Sequence, residues 1–247
     1  MVRTSNIVHA LEKYASLKGR GAEEASWMVA IGEPGLSKTR FLRFLAAETG
    51  GTMLRAIPDW STLWFLADLA TKLGLAAEGQ KRDILPRIVA HLKDLPAPII
   101  LDEFQGLQNY RDILPTLQLL SDETGIEIVL GGTAEITRML TRFKPISSRV
   151  FVTARFLSAT AGDARLMCDK LAEVPIADDL IPRILKDSAG YPGRWVARLW
   201  VTLPTPRPTR RVLLHDNLDA LRDMLPVGLT LLVRAPQDPP EIEEVWL

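Results

Sequence analysis

Gly32-Glu33-Pro34-Gly35-Leu36-Ser37-Lys38-Thr39 is the stretch of sequence that decides the fold class of this chain. Its spacing matches the phosphate-binding loop pattern G-x-x-x-x-G-K-[ST], except that Ser37 stands where glycine usually precedes the lysine. The apolar run Trp27 to Ile31 precedes the loop, and an amphipathic helix from Lys38 to about Glu48 is predicted to follow it. Strand, loop and helix together predict a P-loop α/β domain, in which backbone amides at a helix N-terminus bind phosphate.

Each residue type in the loop suits nucleotide binding. Gly32 and Gly35 allow the chain to turn tightly, and Glu33, Pro34, Leu36 and Ser37 complete the predicted phosphate-binding segment. Lys38 is expected to reach the outer phosphates of ATP, and Thr39 to offer its hydroxyl to Mg²⁺. For this motif taken alone, the alternative is a chance strand-turn-helix of a different α/β fold.

A second motif lies further along the chain, where the apolar run Pro98 to Leu101 ends in Asp102-Glu103. Adjacent carboxylates at the carboxyl end of a buried strand lie where open α/β sheets bind ligands. We expect Asp102 to hold Mg²⁺ through water, and Glu103 to orient and polarise the attacking water. An isolated Asp-Glu pair is commonly an exposed acidic turn, but this position after Lys38 favours a catalytic pair. The two motifs predict a Mg²⁺-dependent ATPase with ATP and Mg²⁺ as cofactors.

The alternation of strands and helices up to about residue 157 predicts a parallel, doubly wound sheet of five strands. We therefore divide the chain into an α/β core over 1–157, a small helical lid over 158–200, and a proline-rich linker with an appended element over 201–247. Three helices are predicted for the lid, over about Ala159–Leu171, Asp178–Ser188 and Arg194–Trp200. The appended element is interpreted as a partner-docking or assembly-regulating segment, with a strand packed on its own core as the alternative.

Composition excludes several classes of protein. The 30 basic and 30 acidic residues cancel, so there is no global positive field that would attract nucleic acid. The single cysteine excludes a disulfide framework, and the three histidines lack the spacing of zinc ligands. No apolar stretch approaches the roughly 20 residues needed to span a bilayer, and the N-terminus lacks a signal-peptide core. We therefore predict a cytoplasmic protein without a membrane partner.

Beyond these two motifs the sequence resembles AAA+ ATPases over about Thr4 to Trp200. The resemblance implies that Thr133, in Leu130-Gly131-Gly132-Thr133, is the sensor 1 residue that touches the γ-phosphate and water. It implies that Arg149, in Ser148-Arg149-Val150, acts in trans as a finger into the neighbouring subunit's site, with Arg142 and Arg155 as competing candidates. It also places Arg194 as sensor 2, which contacts the phosphates from the lid.

Within AAA+ proteins, the short form of the chain looks like the transposition regulators, a group that includes the Mu-type transposition protein B. That resemblance implies a homo-oligomer or helical filament on duplex DNA that recruits or stimulates a transposase at the target site. In this group the residues that face DNA follow the second strand. The corresponding cations here are Arg55, Lys72, Lys81 and Arg82. The alternative is that Lys72, Lys81 and Arg82 are solvated cations at helix ends.

Other AAA+ functions remain open at the level of sequence. A helicase loader or a replication-initiator-like ATPase resembles this chain in core and size, and a signalling NTPase that never touches DNA is a further alternative. A site that binds ATP without turnover is disfavoured because Glu103 and Thr133 are both present.

Overall fold

The computed structural model describes residues 2–17, 19, 21, 24–171, 176–188, 190, 195–201, 207–215, 217–225, 231–232 and 245–246. They divide into two units, the first over Arg3–Leu157 and the second from Ser158 onward.

A five-stranded parallel sheet forms the centre of the first unit, in the order β2-β3-β4-β1-β5. Its strands are β1 Trp27–Ile31, β2 Thr52–Arg55, β3 Ile99–Asp102, β4 Ile128–Gly132 and β5 Val150–Arg155. Every residue of β1, β3 and β4 is buried, because helices cover both faces of a doubly wound sheet. The predicted α/β fold with a five-stranded parallel sheet is therefore confirmed.

Helices connect these strands. They are α1 Ser5–Leu17, α2 Lys38–Thr49, α3 Thr62–Lys72, α4 Lys81–Asp94, α5 Tyr110–Thr124, α6 Glu135–Thr141 and α7 Lys144–Ser147. Ser61 is the N-cap of α3, and its side chain accepts a hydrogen bond from the Trp64 amide. α4 continues as one helix through Pro86.

Large side chains of the helices fill the space against the sheet. Phe41 and Leu42 of α2, Phe65 and Leu69 of α3 and Ile88 of α4 are fully buried. Burial of side chains of this size stabilises the fold by about 1.5–3 kcal/mol each. The core thus holds the carboxyl ends of β1, β3 and β4 in fixed relative positions, and the predicted site residues follow those ends.

The second unit contains helices and short strands. It comprises α8 Ala161–Leu171, the 3-10 turn Asp178–Leu180, α9 Ile181–Ser188, β6 Trp195–Val201, β7 Arg207–His215, α10 Leu218–Asp223, β8 Leu231–Leu232 and β9 Val245–Trp246. Two of the three predicted lid helices are present, at α8 and α9.

The predicted helix over Arg194–Trp200 is wrong, because Trp195–Val201 forms strand β6, which pairs antiparallel with β7. Valine and tryptophan favour strands, and the pairing with a segment further along the chain decides the structure. β7 begins inside the proline-rich stretch predicted to be a linker. A two-stranded sheet consists of edge strands alone, where Pro208 costs little. In the part of the chain that the structure describes, no helix is long and apolar enough to cross a membrane.

Candidate nucleotide-binding site

The loop Gly32–Thr39 joins the carboxyl end of β1 to the start of α2. Lys38 is the first residue of α2 and is only 7% exposed. Its Nζ donates a hydrogen bond to the Glu33 carbonyl oxygen at 2.7 Å, which holds the amine against the inside of the loop. Lys38, the only basic residue of the loop, therefore directs its amine toward the turn of the loop's backbone.

Gly32 lies where two other strands end. Its amide donates to the Gly132 carbonyl, at the end of β4, across 3.1 Å. A Cβ at this position would lie 2.7 Å from the carbonyl oxygen of Phe156, the residue after β5. A side chain would push the backbones apart, so glycine is required here by close approach.

Ser37, the residue that departs from the usual pattern, has left-handed backbone angles, with φ 68° and ψ 20°. An L-residue pays about 1–2 kcal/mol for this conformation, which explains why glycine is usual at this position. The chain keeps the geometry of the loop despite the serine, and Lys38 remains at the helix start. The departure from the motif therefore does not change the course of the backbone.

Thr39 and Asp102 lie side by side. The Thr39 hydroxyl donates to Asp102 Oδ2 at 2.7 Å, and the other carboxylate oxygen accepts from the Glu103 amide at 3.0 Å. Asp102 is 3% exposed. Within the described residues no cluster of three or more histidine, cysteine or acidic side chains could hold a metal. Mg²⁺ in nucleotide sites is typically held by one or two protein oxygens together with the phosphates, so a hydroxyl beside a carboxylate fits it.

Glu103 follows directly, at the carboxyl end of β3. Its backbone is left-handed, with φ 55° and ψ 33°, and a 3-10 turn over Phe104–Gly106 comes next. Strained backbone in a non-glycine residue is frequent at functional sites. Buried Phe104 anchors the turn, and the half-buried Glu103 side chain lies beside the loop after β4.

Gln105 is a site residue that the sequence did not single out. Its Nε2 donates to Glu103 Oε2 at 2.5 Å, and its Oε1 accepts from the Thr133 amide at 3.2 Å. It therefore connects the expected base with the expected sensor. The available signal was its position, two residues after Glu103 at the same strand end.

The electrostatics of the site centre on Lys38. Burial lowers the pKa of its amine below the usual value, while the carboxylates of Glu103, Asp102 and Glu33 act in the opposite direction. The amine thus lies among acidic groups in a partly dry environment. A phosphate group bound there would add negative charge around the ammonium form.

Arg149 lies at the other edge of the sheet. It directly precedes β5, whose first residue is in register with Trp27 at the start of β1. Its side chain is 16% exposed, and the guanidinium makes a bidentate ion pair with Asp122 of α5, at 2.6 Å for the shorter contact. Within one chain it is separated from Lys38 by the length of β1, roughly 15 Å. From this position Arg149 cannot act on the site of its own chain, and its role as a finger in a neighbouring subunit's site stays a prediction.

The competing arginines lie elsewhere. Arg155 ends β5 in register with Ile31, so it lies at the edge that carries the loop of its own chain. Arg142 is exposed at the end of α6, near Tyr110. A hydrogen bond from Arg111 lowers the pKa of the Tyr110 hydroxyl, with Arg142 adding to the effect. Arg194, the predicted sensor 2 residue, lies outside the described residues.

The four cations predicted to contact DNA occupy different positions. Arg55 ends β2 in register with Asp102, at the carboxyl-end edge of the sheet, and it lines an open cleft with Glu103 and Gln105. Lys72 is exposed at the end of α3. Arg55 therefore lies beside Glu103, the expected base.

The remaining two cations begin α4. Lys81 lies against α5, with its Nζ 3.4 Å from Thr116 Oγ1, whereas the Arg82 side chain is 80% exposed. A solvated role is the simpler interpretation for Arg82. Contact of any of the four with DNA stays a prediction.

The fold and the loop between β1 and α2 define a protein of P-loop α/β architecture. Residues 21–140 match the protein-family model described as "AAA domain". The matched region carries the loop Gly32–Thr39, Asp102-Glu103 and Thr133. No curated protein matches the sequence significantly.

Solved structures with the same fold include Cdc6p from Pyrobaculum aerophilum, with a TM-score of 0.55 and 22% identity over 75% of this chain and 55% of that one. The Aeropyrum pernix ORC2 protein in ADPNP-ADP complexes has a TM-score of 0.52 and 19% identity, over 72% of this chain and 54% of that one. The Aeropyrum pernix ORC1 protein in complex with DNA has a TM-score of 0.52 and 20% identity, over 76% and 55%. The chain spans about 55% of the length of these proteins. At this identity the likeness concerns the fold.

Proposed function

We propose that this chain is a Mg²⁺-dependent ATPase that uses ATP binding to assemble on duplex DNA, where it recruits or stimulates a transposase. The observation that carries the ATPase is the convergence of five side chains at one edge of the sheet. These are Lys38, Thr39, Asp102, Glu103 and Gln105, and Gln105 also accepts a hydrogen bond from the Thr133 amide.

The residues divide the chemistry between them. Lys38 would bind the outer phosphates, and Thr39 and Asp102 would hold Mg²⁺, which when bound neutralises phosphate charge. Glu103 would accept a proton from the water whose oxygen attacks the γ-phosphorus, while the bond to the bridging oxygen breaks. Thr133 would hydrogen-bond to the γ-phosphate or to that water. Lys38 and Thr39 lie on α2 and Asp102 on β3, while Glu103 and Thr133 directly follow β3 and β4, so all five groups are positioned by the packed sheet and its helices.

DNA as a partner is supported by the local cations Arg55, Lys72, Lys81 and Arg82, and assembly of several subunits reconciles it with the zero net charge of the chain. One subunit with a few phosphate contacts binds weakly, whereas a homo-oligomer or filament multiplies them. Such binding falls steeply as salt rises. We expect the assembly to act in the cytoplasm.

The second candidate is a replication-initiator-like or helicase-loader-like ATPase. It is favoured by the fold shared with Cdc6p and the two ORC proteins, one of which was solved with DNA. Electron microscopy with duplex DNA and a slowly hydrolysed ATP analogue separates the two. Helical filaments would favour the transposition regulator, and discrete rings or single complexes would favour the initiator or loader.

Turnover is tested with a pair of variants. Lys38→Ala should lose ATP binding, because it removes the charge that meets the phosphates. Glu103→Gln should bind ATP yet hydrolyse it at least about 100-fold more slowly, since a neutral amide is a poor base. ATP titration and phosphate release measure these outcomes. Micromolar affinity in Lys38→Ala, or wild-type turnover in Glu103→Gln, would overturn the assignment of the site.

A further inference from the structure

Gln105 makes two hydrogen bonds that fix the orientation of its side-chain amide. A carboxylate only accepts, so Glu103 Oε2 must face the Nε2 group, at 2.5 Å. A backbone amide only donates, so the Thr133 amide must face Oε1, at 3.2 Å. Since both partners require the same orientation, one hydrogen bond at each end of the half-buried amide fixes how it lies between Glu103 and Thr133.

The neighbouring backbone at Gly132 leaves room for the Gln105 amide only because that glycine has no side chain. A Cβ at Gly132, the last residue of β4, would lie 1.8 Å from Gln105 Oε1. On the other side, the Gly106 amide donates to the Glu103 carbonyl at 3.0 Å, which closes the turn that carries Gln105. Buried Phe104 anchors the same turn. The Gln105 amide is therefore held both by the closed turn of its own backbone and by its hydrogen bonds to Glu103 and Thr133.

We propose that Gln105 is a positioning residue for hydrolysis, whose amide orients the Glu103 carboxylate and ties it to the loop of Thr133. The two groups expected to flank the attacking water then move as one body. Gln105 itself touches neither the P-loop lysine nor Thr39, and its role concerns turnover rather than ATP binding. The inference rests on the proposed ATPase function.

The test compares Gln105 variants in the full-length protein. Gln105→Met keeps the length of the side chain but loses both hydrogen bonds. We expect kcat to fall roughly 10- to 100-fold, the size of effect seen when a hydrogen bond to a charged group is lost. KM and the Kd for ATP should change less than about twofold, because no phosphate contact is removed.

A second variant separates the two hydrogen bonds. Gln105→Glu keeps an oxygen that can accept from the Thr133 amide, but it places a carboxylate against Glu103. Its kcat should fall at least as far as that of Gln105→Met. Gln108→Met, at an exposed glutamine in the same segment, is the matched control and should keep wild-type kcat.

Wild-type kcat in Gln105→Met would overturn the inference, as would a loss of ATP affinity and thermal stability that parallels the loss of kcat. Glu103→Gln, assayed alongside, distinguishes this failure from that of the proposed function. An active Gln105→Met with an inactive Glu103→Gln overturns only the role of Gln105. An active Glu103→Gln overturns the proposed chemistry, and the role of Gln105 with it.

Discussion

At the scale of single residues, Ser37 shows how the chain tolerates a departure from its own motif. Its left-handed backbone is strained in a way that a glycine would relieve. The neighbouring contacts do not depend on the serine side chain, since the bond from the Phe41 amide is accepted by the backbone carbonyl of Ser37. The packing of the strands around the loop therefore outweighs the local backbone strain at Ser37.

We expect Ser37→Gly to raise the free energy of unfolding by about 0.5–1 kcal/mol. Relief of about 1–2 kcal/mol of left-handed strain exceeds the extra conformational entropy of glycine in the unfolded chain, which costs about 0.4–1 kcal/mol. Denaturant titration measures the change. Ser16→Gly, in the last turn of α1, is the control and should destabilise, because glycine is unfavourable within a helix. A destabilised Ser37→Gly would contradict the argument.

At the scale of elements, the ion pair between Arg149 and Asp122 connects the start of β5 to α5. Arg149 Nη1 also donates to the Pro145 carbonyl at 2.9 Å, so its guanidinium is engaged on three sides. A residue bound in this way stabilises its own chain. A finger for a neighbouring subunit would have to leave Asp122 or share it.

Two variants separate these roles. Arg149→Ala should lose turnover while still binding ATP, if the guanidinium acts in trans, because transition-state charge is left without its partner. Asp122→Ala removes the ion pair but keeps the guanidinium, and should retain turnover. Phosphate release, with thermal unfolding measured in parallel, checks both variants.

A mixing experiment completes this test. Subunits carrying Lys38→Ala, with Arg149 intact, should partly restore turnover to Arg149→Ala subunits. If Arg149→Ala and Asp122→Ala lose the same stability and both keep turnover, the ion pair has only a structural role. Loss of turnover in Arg142→Ala, and not in Arg149→Ala, would assign the finger to Arg142.

At the scale of the whole molecule, the pairing of β6 with β7 decides where the chain can be shortened. The two strands are in register from Trp195 with His215 to Val201 with Arg207, and α10 contacts them. β8 and β9 pair with each other, Leu231 with Trp246. The acidic end of the tail, around Asp238 to Glu244, lies outside the described residues. A cut between Leu225 and β8 removes one strand pair and leaves the other.

We expect a chain truncated after Leu225 to keep its affinity for ATP and to differ in assembly on DNA, if the tail regulates assembly or docks a partner. A chain truncated after Thr209 is the control. It cuts β7 and leaves β6 with an unpaired edge, so it should aggregate. ATP titration and electron microscopy of DNA complexes measure the outcome. Loss of ATP binding after truncation at Leu225 would show that the residues after Leu225 are part of the α/β core.

The sequence by itself determined the α/β class and the parallel sheet, and it predicts the loop, base and magnesium residues. Buried parallel strands are local apolar runs, and the motif Gly32–Thr39 has its chemistry in consecutive residues. The tertiary structure decided what depends on contacts distant in sequence. The ion pair of Arg149 with Asp122 and the pairing of β6 with β7 each join segments whose local patterns carry no sign of the partner. Gln105 likewise bonds to Thr133 only because parallel strands bring their carboxyl ends to one edge.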